Sequence, residues 1–334
     1  MINNSLKIIS GTANEPLARE VAKLLKVDLT PVEIKRFTDG EIYVHIEQSV
    51  RGSDVYVIQP TSPDVNQNLM ELLLILDALK RSSPTMITAV IPYFGYSRQD
   101  RRTIPREPIS AKLVADMITK AGAGRVMMFD VHAAQIQGFF DVASDNIEYL
   151  PFFAEHILDR RLKNVVAVSP DAGGVANTRQ LAKHINAPLA IIDKRRTHAG
   201  AKAKVGYIIG EVRDKICILI DDMIDTAGTI TEAAKLLKKK GAKQVLVYAT
   251  HGVFSGKAIA RIKASPIQEM VVTNTIEQTR EKRARNIKVV SIAQLIRETI
   301  RSNHEGRPMG KYFDEIYERI YKKRKKVEDG LIED

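Results

Sequence analysis

The chain has 334 residues, 44% hydrophobic and 27% charged, with 19 Gly and 13 Pro, which excludes a disordered chain and a fibrous repeat. Lys and Arg number 51 against 40 Asp and Glu, a formal charge of +11 that suits anionic partners, either nucleic acid or small phosphates. The single cysteine, Cys217, excludes an intramolecular disulfide and a Cys-rich zinc site, and the absence of Trp speaks against an aromatic platform for single strands.

In chain order, Met1 to Lys7 carry no basic segment leading into an apolar core, so no secretory signal is read and a cytoplasmic protein is expected. No run of about eighteen apolar residues offers a membrane span. Short, β-branched, continuous apolar runs predict strands at Val55–Ile58, Ile87–Ile91, Val126–Phe129, Val165–Val168, Leu189–Ile192, Ile216–Ile220, Val245–Ala249 and Met270–Val272. Between them, Asn68 followed by Glu71 reads as an N-cap and capping-box acid opening a helix over Leu69–Lys80. An amphipathic helix over Ile230–Lys240 ends in three lysines before Gly241, with cations on the negative dipole end. This alternation predicts an α/β fold with mostly parallel sheets. At about 150 residues per domain, the length suggests two domains. The pattern restarts near Leu150-Pro151, so the expected domains are 1–150 and 151–316, followed by a charged extension over 317–334 that reads as a solvated helix end or frayed tail.

The chemistry gathers after the strands. Phe129 leads to Asp130-Val-His132, Val168 to Ser169-Pro-Asp171-Ala-Gly-Gly174, Ile192 to Asp193-Lys-Arg-Arg196, and Ile220 to Asp221-Asp222-Met-Ile-Asp225-Thr-Ala-Gly-Thr229. In open α/β sheets, ligands bind beyond the carboxyl ends of strands. The last of these motifs delivers two adjacent acids and then a small-residue turn opening a helix. Backbone N–H groups and two hydroxyls there suit a phosphate, and the paired acids suit a vicinal diol. Read alone, the same stretch is a capped helix after a core strand.

The Asp221–Thr229 loop resembles the ribose-5-phosphate loop of the phosphoribosyltransferase fold. Phe37-Thr-Asp39-Gly40-Glu41, Tyr96-Ser-Arg98-Gln99-Asp100-Arg101, Pro108–Leu113, His132–Phe140, Ser169–Gly174, Asp193–Arg196 and Thr250–Gly256 resemble, in order and spacing, the ribose-phosphate pyrophosphokinase family, over roughly residues 5 to 313. The resemblance implies two phosphoribosyltransferase-like domains, each a mostly parallel sheet flanked by helices. It also implies a homohexamer built from dimers, with an active site at a domain interface completed by a neighbouring subunit. The implied reaction moves the diphosphoryl group of ATP to the C1 hydroxyl of ribose 5-phosphate. It gives phosphoribosyl pyrophosphate and AMP, serves nucleotide biosynthesis, and uses Mg²⁺.

Carried over on that resemblance, Phe37, Asp39, Gly40, Glu41, Arg98 and Gln99 would bind ATP. By themselves they read as a turn and a solvated charged loop. His132, Asp130 and Asp171 would hold Mg²⁺, which takes few carboxylates plus waters and substrate phosphates. Lys194 and Arg196 would be the catalytic cations, placed where charge spreads during transfer. Arg196, Asp221, Asp222, Asp225, Thr226, Ala227, Gly228 and Thr229 would bind ribose 5-phosphate. Arg101–Glu107 reads as a basic flap whose closure excludes water.

The chain departs from the family pattern in three places. Ile104-Pro105 replaces a basic and a small residue in the flap, lowering its charge and stiffening it. Asn177 stands where a basic residue is common. Pro308-Met-Gly310 replaces a Ser-x-Ser segment that serves phosphate activation and ADP inhibition, so both are expected to be weakened, although Ser49 and Arg51 remain. Other readings are a non-catalytic regulatory relative, a nucleobase phosphoribosyltransferase and a nucleic-acid binder. Retention of Lys194, Arg196, His132 and Asp171 without a flap insertion opposes the first, the ATP-side motifs the second, and the lack of a recognition motif the third.

Overall fold

Runs such as Ile216–Ile220 and Val245–Ala249 have no polar face, so they are stable only where both faces of a sheet are covered. A computed structural model describes residues 5–196 and 204–328, with the side chains at 194–196, 204, 205 and 328 outside the described residues, and it buries both runs throughout. The chain divides into two compact units. The first holds the chain up to Glu148 with Asn274–Glu277 and Ser291–Met309, and the second holds Tyr149–Thr273, Gln278–Val290 and the chain from Gly310.

The first unit contains β1 (Leu6–Ser10), α1 (Glu15–Leu25), β2 (Val32–Arg36), β3 (Ile42–Ile46), β4 (Asp54–Ile58), α2 (Val65–Lys80), β5 (Met86–Ile91), α3 (Ser110–Ala121), β6 (Arg125–Phe129) and β7 (Ala143–Ile147). Five strands form a parallel sheet in the order β1-β4-β5-β6-β7, while β2 and β3 form a separate antiparallel hairpin. Val55, Val57, Ile87, Ala89 and Ile91 share a buried core with Leu72, Ile75 and Leu76 of α2.

The chain continues through α4 (Leu150–Asp159), β8 (Val165–Ser169), α5 (Val175–Ile185), β9 (Leu189–Arg196), β10 (Lys204–Ile209), β11 (Ile216–Ile224), α6 (Gly228–Lys239), β12 (Gln244–Gly252), α7 (Ala258–Lys263), β13 (Glu269–Thr273) and β14 (Ile287–Val290). It then returns to the first unit as α8 (Ala293–His304) and ends in the second with α9 (Gly310–Glu328). The second sheet has the order β10-β9-β8-β11-β12-β13-β14, parallel except for β10 against β9. From β8 the chain first builds outward to β9, then crosses to β11 on the other side. That reversal is a topological switch point, and the crevice beyond the carboxyl ends of β8 and β11 is where such a sheet takes ligands.

Several local expectations change. α2 begins at Val65, so Asn68 is inside its first turns and Glu71 is no capping-box acid. Only Val65 is apolar among Asp64–Gln67, so no apolar period marks that first turn. Asp193–Arg196 and Asp221–Asp222 lie within β9 and β11 rather than beyond them, because β10 and β12 supply ladder partners: Asp193 pairs with Tyr207 and Asp221 with Ala249. The expected strands do not include β1, the hairpin strands β2 and β3, the polar edge strand β7, β10 or the short edge strand β14; in these the apolar residues are few or interrupted by polar ones, and the strands are held by pairing with their neighbours. The α6 terminus is as predicted: Gly241 has φ 90°, its N–H bonds to the Lys238 carbonyl at 3.0 Å and the Ala242 N–H to that of Leu237 at 3.0 Å. No helix among the described residues is long and apolar enough to cross a membrane.

Of the two forms expected for the charged extension, a helix end or a frayed tail, the described part is a helix end: it continues α9, which is mostly exposed but is seated on α4 and α5. Ile316 and Ile320 of α9 are buried. Arg319 donates to both oxygens of Glu155 at 2.9 and 3.2 Å, and Lys323 bridges Glu155 and Asp159 at 3.0 and 2.8 Å. The Tyr317 ring stacks on His184 of α5, centroids 5.5 Å apart. Burial pushes the His184 imidazole below its ordinary value, and the Lys183 and Arg324 charges push the same way. The unfolded chain therefore takes up this proton more readily. The stabilisation is complete above the ordinary histidine value of about 6.5 and is lost as pH falls through the lowered folded value. The thermal midpoint is expected to fall on acidification from about pH 7.5 to about pH 5, and less steeply in His184→Phe, which keeps the stack without the titration. Equal slopes in the two proteins would show that the ring titrates as if solvated.

Candidate active site

The residues expected to hold ATP fall on two loops of the first unit. The tip of the β2–β3 hairpin is closed by the Phe37 N–H to the Glu41 carbonyl at 2.8 Å and the Gly40 N–H to the Phe37 carbonyl at 2.9 Å. The Asp39 carboxylate accepts from the Glu41 N–H at 3.1 Å, and Gly40 occupies φ 96°, where a side chain is disfavoured. The turn therefore forms from its own sequence and leaves Phe37, Asp39 and Glu41 exposed. Phe37 is 55% exposed and meets only the edge of Tyr43 among aromatic rings of the described residues, 6.3 Å away, an open apolar face of the kind that stacks on a base.

Arg98 and Gln99 follow β5 and are both exposed. Gln99 is held by its surroundings: its side-chain carbonyl accepts from Ser110 Oγ at 2.6 Å and its backbone carbonyl from the Ala111 N–H at 3.2 Å, at the start of α3. The flap that follows is folded into a turn. Glu107 Oε2 accepts from the Thr103 N–H and Oγ1, both at 2.8 Å, and from the Ile104 N–H at 3.1 Å. These bonds hold the Glu107 carboxyl below its ordinary range. Pro105 fixes its own φ and Arg106 follows in the left-handed region at φ 72°, so the departure in sequence yields a bend.

Asp130 and His132 lie just past β6, Asp130 half-buried at φ 41° and His132 exposed. Asn146 of β7 fixes this corner by accepting from the Val131 N–H at 3.1 Å. Sequence reading missed Asn146, since its role depends on strand pairing.

In the second unit, the loop after β8 curls over Asp171. Its Oδ1 accepts from the Gly173 and Gly174 N–H groups at 2.9 and 3.2 Å, and Ser169 Oγ donates to its backbone carbonyl at 2.6 Å. Asp221, Asp222 and Asp171 form one electrostatic cluster. Burial, then the charges of Asp222 and Asp171, push the Asp221 carboxyl well above the usual carboxylate range. Crowded acids of this kind suit a cation, or a diol in which one hydroxyl accepts from a protonated carboxyl while another donates.

Beyond β11, Ala227 takes a left-handed conformation, φ 58°, and no side chain caps the N-terminus of α6. The first N–H groups of that helix are thus left for an anion, beside exposed Thr226 and Thr229 and half-buried Asp225 and Gly228. Arg261 of α7 braces the loop by donating to the Thr226 carbonyl at 2.8 Å. Nothing in the sequence signals that contact, which joins residues 35 positions apart. The switch point thus brings the Asp171 loop and the Asp221–Thr229 loop together. β9 carries Lys194 and Arg196 next to β8, although their side chains lie outside the described residues.

The chain matches known proteins over most of its length. Residues 6–122 match the N-terminal domain of ribose phosphate pyrophosphokinase, and residues 196–314 match the phosphoribosyl synthetase-associated domain. The ribose-phosphate pyrophosphokinase of Clostridium tetani is 51% identical over 314 residues, 93% of this chain and 98% of that protein. That of Caldanaerobacter subterraneus is 52% identical over 311 residues, again 93% and 98%. The crystal structure of phosphoribosylpyrophosphate synthetase from Mycobacterium smegmatis superposes with a TM-score of 0.87 at 42% identity, covering 91% of this chain and 100% of that one. With motifs, fold and length all in agreement, the chain belongs to the ribose-phosphate pyrophosphokinase family.

Proposed function

We propose that this protein transfers the diphosphoryl group of ATP to the C1 hydroxyl of ribose 5-phosphate, giving phosphoribosyl pyrophosphate and AMP. The observation that carries the reading is the match at about half identity to ribose-phosphate pyrophosphokinases along 98% of their length. In the reaction the C1 oxygen attacks the β-phosphorus, the bond from that phosphorus to the α-bridging oxygen breaks, and AMP leaves with that oxygen. The hydroxyl proton is given up to solvent. Such transfer asks the protein for positioning and for charge stabilisation rather than for a covalent intermediate.

Phe37 stacks on adenine, with Asp39, Gly40, Glu41, Arg98 and Gln99 completing the nucleotide contacts. The open start of α6, with Thr226 and Thr229, takes the 5-phosphate, while Asp221, Asp222 and Asp225 hold the sugar hydroxyls. Lys194 and Arg196 stabilise the charge that spreads over the transferring oxygens. Among the described residues no three His, Cys, Asp or Glu side chains form a metal cage. Mg²⁺ needs none, because it is commonly held by one or two carboxylates with substrate phosphates and waters. Asp130 and Asp171 would supply hard oxygen donors of that kind, and His132 a nitrogen donor. When bound, Mg²⁺ neutralises and orients the polyphosphate. We place the enzyme in the cytoplasm, as a homohexamer built from dimers that serves nucleotide biosynthesis, with neither nucleic acid nor membrane as a partner.

Phosphorus NMR of the protein with ATP, Mg²⁺ and ribose 5-phosphate tests the reading. AMP and phosphoribosyl pyrophosphate are expected in equal amounts. Unchanged ATP, or accumulation of ADP or free pyrophosphate alone, would instead favour a regulatory relative.

A further inference from the structure

We infer that an ion pair between Arg36 and Glu71 positions the hairpin tip that carries Phe37, Asp39 and Glu41, so that both are positioning residues for the nucleotide. The inference rests on the reading that this tip binds ATP.

Glu71 of α2 has a side chain with 0% exposure. Its Oε1 accepts from the Thr12 N–H at 2.6 Å and from Gln59 Nε2 at 2.9 Å, and the Thr12 hydroxyl lies 2.9 and 2.7 Å from its two oxygens. Gln59 is fixed in turn by the Ala13 N–H, which donates to its carbonyl at 3.2 Å. A Cβ on Gly11 would lie 2.2 Å from that same oxygen, so the backbone leaves no slack around the network. Thr12 and Gln59 follow the ends of β1 and β4, and the carboxylate is therefore locked to the sheet.

A buried carboxylate is costly unless it is hydrogen-bonded, and a counter-charge beside it offsets more of its lost hydration. Among the described residues the cation in ion-pair range is Arg36, whose side chain is 40% exposed, with Nη2 3.5 Å from Glu71 Oε2. That is a charge contact rather than a fitted hydrogen bond. Its place in the sequence is informative. Val32 and Ile34 of β2 pack against the core, as do Val44 and Ile46 of β3. The strand period of two continues that row to Arg36, at a position where another apolar residue would be expected. Arg36 is also the last rung of the hairpin, paired with Ile42, directly before the tip. Apolar packing thus seats the body of the hairpin, and the tip end is tied by charge to a carboxylate that cannot move.

A double-mutant cycle with Phe37→Ala as control tests this. Arg36→Met is expected to raise KM for ATP about tenfold and leave KM for ribose 5-phosphate within about twofold, as for a displaced binding element. Arg36→Lys restores the charge and should return KM for ATP to within about threefold of the parent, since a single 3.5 Å contact does not need the guanidinium fork. Arg36→Met with Glu71→Gln should cost no more than the worse single change, because the two act as a unit. Effects that multiply, or a lysine that fails to rescue, would overturn the pair and leave Arg36 as a direct nucleotide contact. If Glu71→Gln does not fold, the Met and Lys comparison decides. If Phe37→Ala leaves KM for ATP unchanged, the assignment of the tip to ATP is what fails.

Discussion

Lys194→Ala is expected to lower kcat by about two to three powers of ten while leaving both KM values within about threefold, and Arg196→Ala to do the same with an added rise in KM for ribose 5-phosphate. Lys194 and Arg196 stand two apart on β9, the interval at which a strand repeats its face. The start of β9 pairs with β8, ending with Ser169 opposite Ile191, and the part that carries the two cations pairs with β10, with Gly206 and Lys204 opposite Lys194 and Arg196. A paired strand is a rigid base for cations that, in the role proposed for them, act when charge spreads over the transferring phosphoryl oxygens. A group that acts chiefly in the transition state shows in kcat rather than KM. Single-turnover rates at saturating ATP and ribose 5-phosphate are the measurement. A kcat within about threefold of the parent in both variants would remove these residues from catalysis.

Gly228→Ala is expected to separate binding from stability. An added Cβ meets Thr226 Oγ1 at 3.8 Å and Arg261 Nη1 at 3.9 Å, ordinary contacts that strain nothing. Alanine is also the better helix former by up to about 1 kcal/mol, so the thermal midpoint should hold or rise. In the proposed site, however, the 5-phosphate comes close to the bare backbone at the start of α6, where no side-chain cap competes with it. A methyl group there crowds that approach. KM for ribose 5-phosphate should rise about tenfold or more, with KM for ATP little changed. Calorimetric titration of ribose 5-phosphate beside a thermal melt reads both quantities. Unchanged ribose 5-phosphate affinity would move the phosphate away from this turn.

The contrast between Glu71 and Asp221 shows how far sequence reading reaches. Asp221 stands at the end of an apolar run and before a small-residue turn, so its neighbours announce a site. Glu71 follows Asn68 by three positions and looks like a capping acid. In the folded chain it is buried among Thr12, Gln59 and Arg36, residues up to 59 positions away. Local pattern cannot register a partner that only the sheet order brings near. The basic run near the C-terminus is a similar case. Its charge reads as solvated, yet Lys323 is tied to Glu155 and Asp159, because the turn of α9 that carries it continues the seam made by Ile316 and Ile320.

From sequence alone came the α/β class, the central strands of both sheets, the family, its reaction and the positions that carry the resemblance. Each of these is written in short-range patterns: continuous apolar runs, motif spacing, and the residues that end a strand or open a helix. Tertiary structure alone decided the extension of β9 and β11 through their charged residues, the return of residues 274–277 and 291–309 to the first unit, and the switch point that brings the Asp171 and Asp221–Thr229 loops together. It also decided the seat of α9 and the anchoring of the hairpin through Arg36 and Glu71. The physical reason is the same throughout. A strand lengthens when a neighbouring chain segment offers it hydrogen bonds, and a buried charge is stable only where distant donors and a counter-ion converge, and neither condition is set within a local window of sequence.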